Sequence, residues 1–350
     1  MTPFDTARLL LQGAVAERAF PAAAVEVGRH DRVLWREAFG RLSHEPGAAV
    51  TTEETLFDLA SLTKVLATTT LTMGLVEAKR LGIDDRVGSW LPEWRGSDRD
   101  RVTAGDLLSH ASGLTAHLPF YRDCASRAEF QRAICTMPLE YVPRTEAVYS
   151  DLGFILLGFI VEDAGGARLD EQFATVVARL DLGDITFRPS RDWRARAAAT
   201  EVDPWRGRLL VAEVHDENAW ALGGVAGHTG LFGTVASVGR FAQVLLRNTM
   251  GGKQLVQSQT LETFLRPTDV PGSSRALGWD TMLPTSSCGR RMSGAAIGHT
   301  GFTGTSLWID KQRDIYVVLL TNRVHPSRHN EAILQVRPAL HDAIMAALGH

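Results

Sequence analysis

Two hairpin patterns at opposite ends of the chain constrain its fold more than any other feature of the sequence. Residues 22–39 hold two short β-prone runs around a polar turn, and residues 304–320 repeat this arrangement around a charged turn. Helical spacing of apolar residues precedes the first hairpin over 4–19 and follows the second over about 330–348. We therefore predict that both chain ends share one antiparallel sheet flanked by helices.

The middle of the chain has a different pattern, in which helical periodicity recurs between loops that contain Gly and Pro. The segments are 66–81, 104–109, 128–137, 152–164, 169–180 and 238–246. This distribution predicts an α+β protein with a discontinuous sheet domain, 1–70 and 275–350, and a mainly helical domain, 71–274. The stretch 193–216 gives no clear pattern.

Charge and cysteine content limit the function classes. The 37 Lys and Arg residues against 40 Asp and Glu residues give a net charge of −3, so there is no basic field for nucleic acid or an anionic membrane. The three cysteines are an odd number and form no C-x-x-C pair, so the sequence suggests neither a disulfide framework nor a thiolate metal site. The N-terminus lacks a secretory pattern, and no apolar stretch is long enough for a membrane span. We expect a cytoplasmic protein that acts on a small molecule.

A serine and a lysine one turn apart begin a predicted helix. Apolar spacing from Leu62 to Met73 predicts a buried helix with Ser61 in its first turn. Positions three apart on a helix are neighbours, so Lys64 can activate the weakly nucleophilic hydroxyl of Ser61. A lysine acts as a base when burial or positive potential destabilises its ammonium group. An alternative interpretation is that Ser61 only caps the helix and Lys64 is exposed to solvent. The helix dipole, however, disfavours a lysine in the first turn.

Tyr149, Ser150 and Asp151 lie between a turn and a strongly apolar helical segment, 152–160. Such a junction holds side chains rigidly. The phenol of Tyr149 can relay a proton between Ser61, Lys64 and a leaving group where neighbouring cations favour phenolate. Capping of the helix by Ser150 or Asp151 is compatible with that role.

His299, Thr300 and Gly301 begin the C-terminal hairpin, where glycine lets a ligand approach the backbone closely. We expect His299 beside the nucleophile, and the backbone N–H near Phe302 as an oxyanion donor together with that of Ser61. The same three residue types recur at 228–230. Because no alternating strand follows them, we predict a structural turn there.

In this order, the three elements resemble the signature of the serine β-lactamase and penicillin-binding protein superfamily. The chain is most similar to class C-like members, which include DD-peptidases, D-aminopeptidases and family VIII esterases. Ser61-Leu62-Thr63-Lys64 matches S-x-x-K, Tyr149-Ser150-Asp151 matches Y-x-N with Asp in place of Asn, and His299-Thr300-Gly301 matches H-x-G. The resemblance extends from about residue 5 to the end of the chain.

The resemblance implies a β-lactamase/transpeptidase-like fold with the active site in the cleft between the two domains. It implies a nucleophilic Ser61, a general base shared by Lys64 and Tyr149, and an acyl-enzyme resolved by water. Metal and cofactor are not required. The substrate-binding and oxyanion residues would be Asp151, His299, Thr300, Gly301 and Phe302.

Two departures from the family pattern bear on the substrate. Asp151 replaces the asparagine of the family pattern. The asparagine amide both donates and accepts hydrogen bonds, whereas an ionised carboxylate only accepts them. His299 replaces the usual lysine and weakens the fixed positive charge that recruits a substrate carboxylate. We therefore expect a hydrolase of small esters or amides, esterase-like and with weak β-lactamase activity. The alternatives are a DD-peptidase or β-lactamase acting on cell-wall peptides or β-lactams, and a non-catalytic penicillin-binding sensor.

Other classes of site find less support. His110, His117 and the pair His215 and Asp216 are scattered without a metal-ligand spacing, so we predict structural roles for these histidines. The G-x-S-x-G motif of α/β-hydrolases does not occur. The glycine-rich segment 223–227 has no Walker lysine and is predicted to be a turn beside the cleft.

Overall fold

The computed structural model describes residues 3–252 and 254–350. The strands are β1 (Ala22–Gly28), β2 (Val33–Gly40), β3 (Phe57–Asp58), β4 (Ile185–Phe187), β5 (Val202–Asp203), β6 (Arg208–Leu209), β7 (Leu231–Gly233), β8 (Asp280–Thr281), β9 (Ala296–Thr300), β10 (Ser306–Asp310) and β11 (Ile315–Thr321). The α-helices are α1 (Asp5–Ala16), α2 (Thr70–Glu77), α3 (Val87–Trp90), α4 (Ala104–Leu108), α5 (Arg127–Thr136), α6 (Asp151–Gly165), α7 (Leu169–Leu180), α8 (Glu217–Ala221), α9 (Val235–Thr249), α10 (Ser258–Leu265) and α11 (Ile333–Ala347).

Both chain ends contribute to the main sheet, which has the strand order β2-β1-β11-β10-β9-β8. Antiparallel pairing places Ala23 opposite Thr321, joining the first strand to the last. The same pairing continues from β11 through β10 to β9, where Ser306 faces Thr300. The predicted shared sheet is thus confirmed, and its two hairpins flank the central β1–β11 contact.

The central strands of the sheet, β1, β10 and β11, are buried on both faces. All seven residues of β1 are buried. Ala22 and Ala24 point into one hydrophobic core. Val25 and Val27 point into the other, because side chains alternate along a strand. Helices α1 and α11 cover the second core, whereas α9 and the middle helices enclose the first.

The helix that follows Ser61 differs from the single helix predicted over 66–81. Residues Lys64–Thr69 form a wider π-helical turn that continues into α2. Such turns are often found at functional sites. The turn packs against α6, an almost wholly buried helix.

A small second sheet, in the order β3-β7-β4, was not expected from the sequence. Its strands are only two or three residues long, so they carry almost no periodic signal. Phe57 pairs with Gly233 and Asp58 with Phe232, which fixes the segment leading into Ser61. Within the described residues, no helix is long and apolar enough to cross a bilayer.

Candidate active site

Ser61 follows a tight turn at the end of β3. Ala60 has φ 47°, a conformation that is uncommon for a residue with a Cβ atom. The buried carboxylate of Asp58 holds this turn by accepting the N–H of Ala60 at 2.8 Å, and it also accepts the N–H of His215 at 2.8 Å. Burial raises the pKa of Asp58, and the two N–H donors oppose that shift. The turn is therefore held by buried contacts with a distant segment.

The loop between β9 and β10 lies against the same turn. Thr303 and Thr305 donate their hydroxyl groups to the carbonyl oxygens of Asp58 and Leu59, at 2.7 and 3.0 Å. A Cβ atom on Gly301 would lie 2.6 Å from the carbonyl oxygen of Leu59. Only glycine permits this close approach, which brings the end of β9 beside Ser61.

Lys64 is fully buried, and its ammonium group makes three hydrogen bonds. It donates to Ser61 Oγ at 3.0 Å, to Asp151 Oδ1 at 2.7 Å and to the carbonyl oxygen of His228 at 3.0 Å. A lysine ammonium has three protons, so every one has an acceptor. Lys64 therefore links the nucleophile directly to α6 and to the segment before β7.

Tyr149 lies at the predicted junction before α6. Ser150 caps the helix by accepting the N–H of Gly153, and its own N–H donates to Nδ1 of His110 at 3.0 Å. The Tyr149 ring packs 4.7 Å from the His110 ring, and Lys64 Nζ lies 4.8 Å from the Tyr149 ring centre. The phenol is thus fixed beside the Ser61–Lys64 pair.

The protonation of this pair differs from what the sequence suggested. Burial alone would lower the pKa of Lys64, but the charge of Asp151 outweighs it, and the pKa is raised. Burial also raises the pKa of Tyr149, although the nearby Lys64 charge opposes the shift. Asp151 favours the protonated form of both groups. The expected destabilised ammonium is therefore not present, and the resting site holds a protonated Lys64.

His299 lies at the end of β9 and is buried. Its Nδ1 bonds to the carbonyl oxygen of Thr300 at 2.8 Å, and Nε2 has no partner among the described residues. Burial lowers the pKa of His299 to about 4, so the ring is neutral near pH 7. His299 itself therefore supplies no fixed positive charge.

Arg275 supplies such a charge and was missed by the sequence analysis. Its guanidinium group lies 5.1 Å from the centre of the Tyr149 ring and is ion-paired with Asp280. It lines the same cleft as His299. Arg275 belongs to an irregular stretch between α10 and β8, where no local pattern distinguishes it from a solvated arginine.

The cleft lining also carries acidic side chains and further histidines. His228 Nε2 bonds to Asp216 Oδ1 at 3.0 Å, and His117 Nδ1 lies 4.0 Å from Asp151 Oδ2. Burial opposes ionisation of Asp216, but the charge and hydrogen bond of His228 prevail and hold its pKa well below the usual range. Segment 228–230 is therefore more than the turn predicted for it, because His228 orients both Lys64 and Asp216.

Most of these groups line one open cleft of about 530 Å³. Ser61, Tyr149, Asp151 and the segment 299–302 line it together. The Phe302 side chain is 50% exposed and stacks on His215 with ring centres 5.7 Å apart. The structure thus brings every sequence-predicted site residue to this cleft, with Lys64 buried directly beneath it.

Comparison with known proteins identifies the family to which the chain is similar. The family model described as Beta-lactamase matches residues 7–340. A D-alanyl-D-alanine carboxypeptidase-like protein of Escherichia coli (strain K12) is 30% identical over 87% of this chain and 79% of its own length. The N-acetylmuramyl-L-alanine amidase of Bacillus subtilis (strain 168) is 29% identical over 92% of this chain and 82% of its own.

Among solved structures, the chain is similar to "EstCE1, a hydrolase with promiscuous acyltransferase activity". The TM-score is 0.77 at 23% identity, with 97% of this chain and 98% of that chain covered. At this level of identity the likeness shows the fold. The β-lactamase/transpeptidase-like architecture predicted from the sequence is therefore confirmed.

Proposed function

The chain belongs to the beta-lactamase family, and we propose that it is a serine hydrolase that cleaves small esters or amides through an acyl-enzyme. The contact of Lys64 Nζ with Ser61 Oγ, at 3.0 Å in an open cleft, carries this proposal. A serine hydroxyl needs such an adjacent group to become a nucleophile. The fold neighbour EstCE1, described as a hydrolase with promiscuous acyltransferase activity, supports acyl transfer as the class of reaction.

In the proposed reaction, the Ser61 oxygen attacks the substrate carbonyl carbon and Ser61 loses its proton to Tyr149. The Lys64 ammonium has all three protons engaged in the resting site and cannot accept another. The acceptor is therefore Tyr149, whose phenol first gives its own proton to solvent and becomes a phenolate that the Lys64 ammonium stabilises. Tyr149 then protonates the departing alcohol or amine. Water attacks the Ser61 ester in the same way, which releases the acid and restores the serine.

A carboxylate-bearing peptide is the second candidate substrate, and Arg275 favours it. This guanidinium group lies beside Tyr149, where a substrate carboxylate could pair with it. The carboxypeptidase-like name of the Escherichia coli relative supports the same class. A penicillin-binding sensor would require slow, stoichiometric acylation, which the complete Ser61–Lys64–Tyr149 group does not favour.

Hydrolysis of p-nitrophenyl butyrate by the wild type and by Ser61→Ala tests the first proposal. This ester requires the nucleophile and has no carboxylate. We expect the substitution to lower kcat/KM by at least about 10³-fold. Equal turnover in both proteins would remove Ser61 from the mechanism.

A peptide that ends in D-Ala-D-Ala tests the second candidate. If Arg275 recruits the terminal carboxylate, Arg275→Gln should raise KM for this peptide by about 10-fold or more and change ester hydrolysis much less. An equal loss on both substrates would mean that Arg275 acts on Tyr149 and not on the substrate.

A further inference from the structure

Three side chains from separate segments converge at one wall of the cleft. They are His117 in the loop after α4, Asp151 at the start of α6 and Asp216 just before α8. One ligating atom from each lies within 4.8 Å of the others. Among residues 3–252 and 254–350, this is the one His, Cys, Asp and Glu group with such a geometry. The sequence analysis had treated His117 and Asp216 as unrelated.

Hydrogen bonds from outside the group orient both carboxylates. Lys64 donates to Asp151 Oδ1 at 2.7 Å, while Asp151 Oδ2 faces His117. Asp216 Oδ1 accepts His228 Nε2 at 3.0 Å and the N–H of Ala219 at 2.7 Å. Hydrogen bonds of this kind, behind metal-ligating carboxylates, fix the orientation of the ligands.

The loop that bears His117 is held to α8, which starts just after Asp216. Asn218 donates to the carbonyl oxygen of Leu118 at 2.9 Å and accepts the N–H of Tyr121 at 2.9 Å. His117 itself is 43% exposed in its side chain. The imidazole can therefore turn toward the two carboxylates while its backbone stays in place.

We propose that His117, Asp151 and Asp216 bind one divalent transition-metal ion, with zinc the best match. One imidazole nitrogen and two carboxylate oxygens are donors that suit zinc, and an imidazole disfavours magnesium and calcium. Two negative charges attract the ion, whereas the Lys64 ammonium group opposes it and limits the affinity. The open cleft leaves the remaining coordination positions to water.

The ion would be an inhibitor of the proposed hydrolase. Its charge would compete with Lys64 for Asp151, and it would occupy the wall beside Ser61 that a substrate has to pass. This consequence depends on the proposed function. The binding itself does not, because the ligands and their geometry are independent of any turnover.

Isothermal titration calorimetry with Zn²⁺, on protein first dialysed against a chelator, tests the site without a substrate. We expect one ion per wild-type chain and at least about 10-fold weaker binding in His117→Ala and in Asp216→Asn. The matched control is His30→Ala. His30 also pairs with an aspartate, Asp314, but at turns of the main sheet outside this group. It should bind as the wild type does.

Each outcome is decisive. No stoichiometric binding in the wild type, or unchanged binding in both site variants while circular dichroism shows native folding, overturns the proposal. His117 is half exposed, so its removal leaves no core cavity. Zinc binding without loss of ester hydrolysis would keep the site and refute only the inhibition. An inactive wild type that binds zinc would refute the proposed function alone.

Discussion

At the scale of single residues, Asp151 decides the charge state of the site. It lies 2.7 Å from Lys64 and raises the pKa of both Lys64 and Tyr149. The proposed reaction needs this pair to lose one proton before Ser61 can be activated. The active form therefore becomes populated as the pH rises, and activity should increase on the alkaline side of neutrality.

Asp151→Asn should move that pH dependence. Removing the carboxylate charge lowers the pKa of the Lys64–Tyr149 pair, so the rising limb of log kcat/KM against pH shifts to lower pH. In the pH range where log kcat/KM still rises, a shift of the profile by one pH unit corresponds to a 10-fold change in the fraction of active enzyme, or about 1.4 kcal/mol. Ester hydrolysis from pH 5 to 10 measures it.

Asp163→Asn is the matched control for this prediction. Asp163 lies on the same helix, α6, and pairs with Arg127 at 2.6 Å, away from Lys64. Its substitution should leave the profile in place. An unmoved limb in Asp151→Asn would mean that another group governs the rate.

At the scale of elements, the loop before β7 packs so closely against α6 that no side-chain atom fits between their backbones. A Cβ atom on Gly227 would lie 2.1 Å from the carbonyl oxygen of Phe154 and 2.9 Å from Gly158 Cα. The Gly227 carbonyl oxygen also accepts the Thr68 hydroxyl at 2.6 Å. This contact positions the neighbouring His228 carbonyl oxygen, which holds Lys64.

Gly227→Ala should therefore lose both stability and activity. Backbone atoms cannot yield as a flexible side chain can, and we expect a loss of about 2–4 kcal/mol in the free energy of unfolding. Gly74→Ala is the control, because Gly74 lies in α2 with nothing within 4 Å of the added Cβ. Urea unfolding should show it unchanged or stabilised by up to about 1 kcal/mol. Equal effects would refute the packing argument.

Helix α11 contains a buried histidine without hydrogen-bond partners among the described residues. Both ring nitrogens of His341 are unpartnered, and burial lowers its pKa to about 3. The unfolded chain takes up a proton near the ordinary value of 6.5, whereas the folded chain does not until about 3. His341 therefore destabilises the fold progressively as the pH falls through this interval.

His341→Leu should remove this effect. We expect it to stabilise the fold by about 1 kcal/mol at pH 7, because an unpaired buried polar group is lost. The gain should grow as the pH is lowered from 7 to 5. Thermal unfolding of both proteins at several pH values measures it, and a pH-independent difference would show that His341 takes no part in the acid response.

At the scale of the whole molecule, an ionic cluster around Glu201 joins segments far apart in the chain. Glu201 bonds to His215 Nε2 at 2.8 Å and to Arg328, which also contacts Glu217 at 2.8 Å. Burial would raise the pKa of Glu201, but bonds from His215 and Arg328 prevail and lower it to about 2. The cluster thus connects the C-terminal part of the chain to the segment that carries Asp216.

Glu201→Gln should lower Tm at pH 7. The pKa of Glu201 is lower in the folded chain than its ordinary 4.5, so its stabilisation is complete above about 4.5 and is lost as the pH falls toward 2. The difference from the wild type should therefore shrink between pH 7 and pH 3. Glu53→Gln, in an exposed pair 3.7 Å from Arg36, should have little effect at either pH. A constant difference across this range would refute the assignment.

The sequence predicted the parts that depend on local periodicity. The alternation in 22–39 and 304–320 located four strands of the main sheet, and the motif residues were found because each has a fixed chain spacing. The short strands β3, β4 and β7 escaped detection because two or three residues carry no period. Arg275 and the grouping of His117 with Asp216 depend on loops that meet only after folding.

The pairing of β1 with β11 also sets an order of events during synthesis. Ala23 can pair with Thr321 only after the ribosome has added residue 321. At a synthesis rate of about 5–20 residues per second, this happens tens of seconds after β1 has been made. During that wait an apolar strand is without its central neighbour. A nascent chain therefore exposes an unpaired apolar strand edge that is open to aggregation until the last strand has been made.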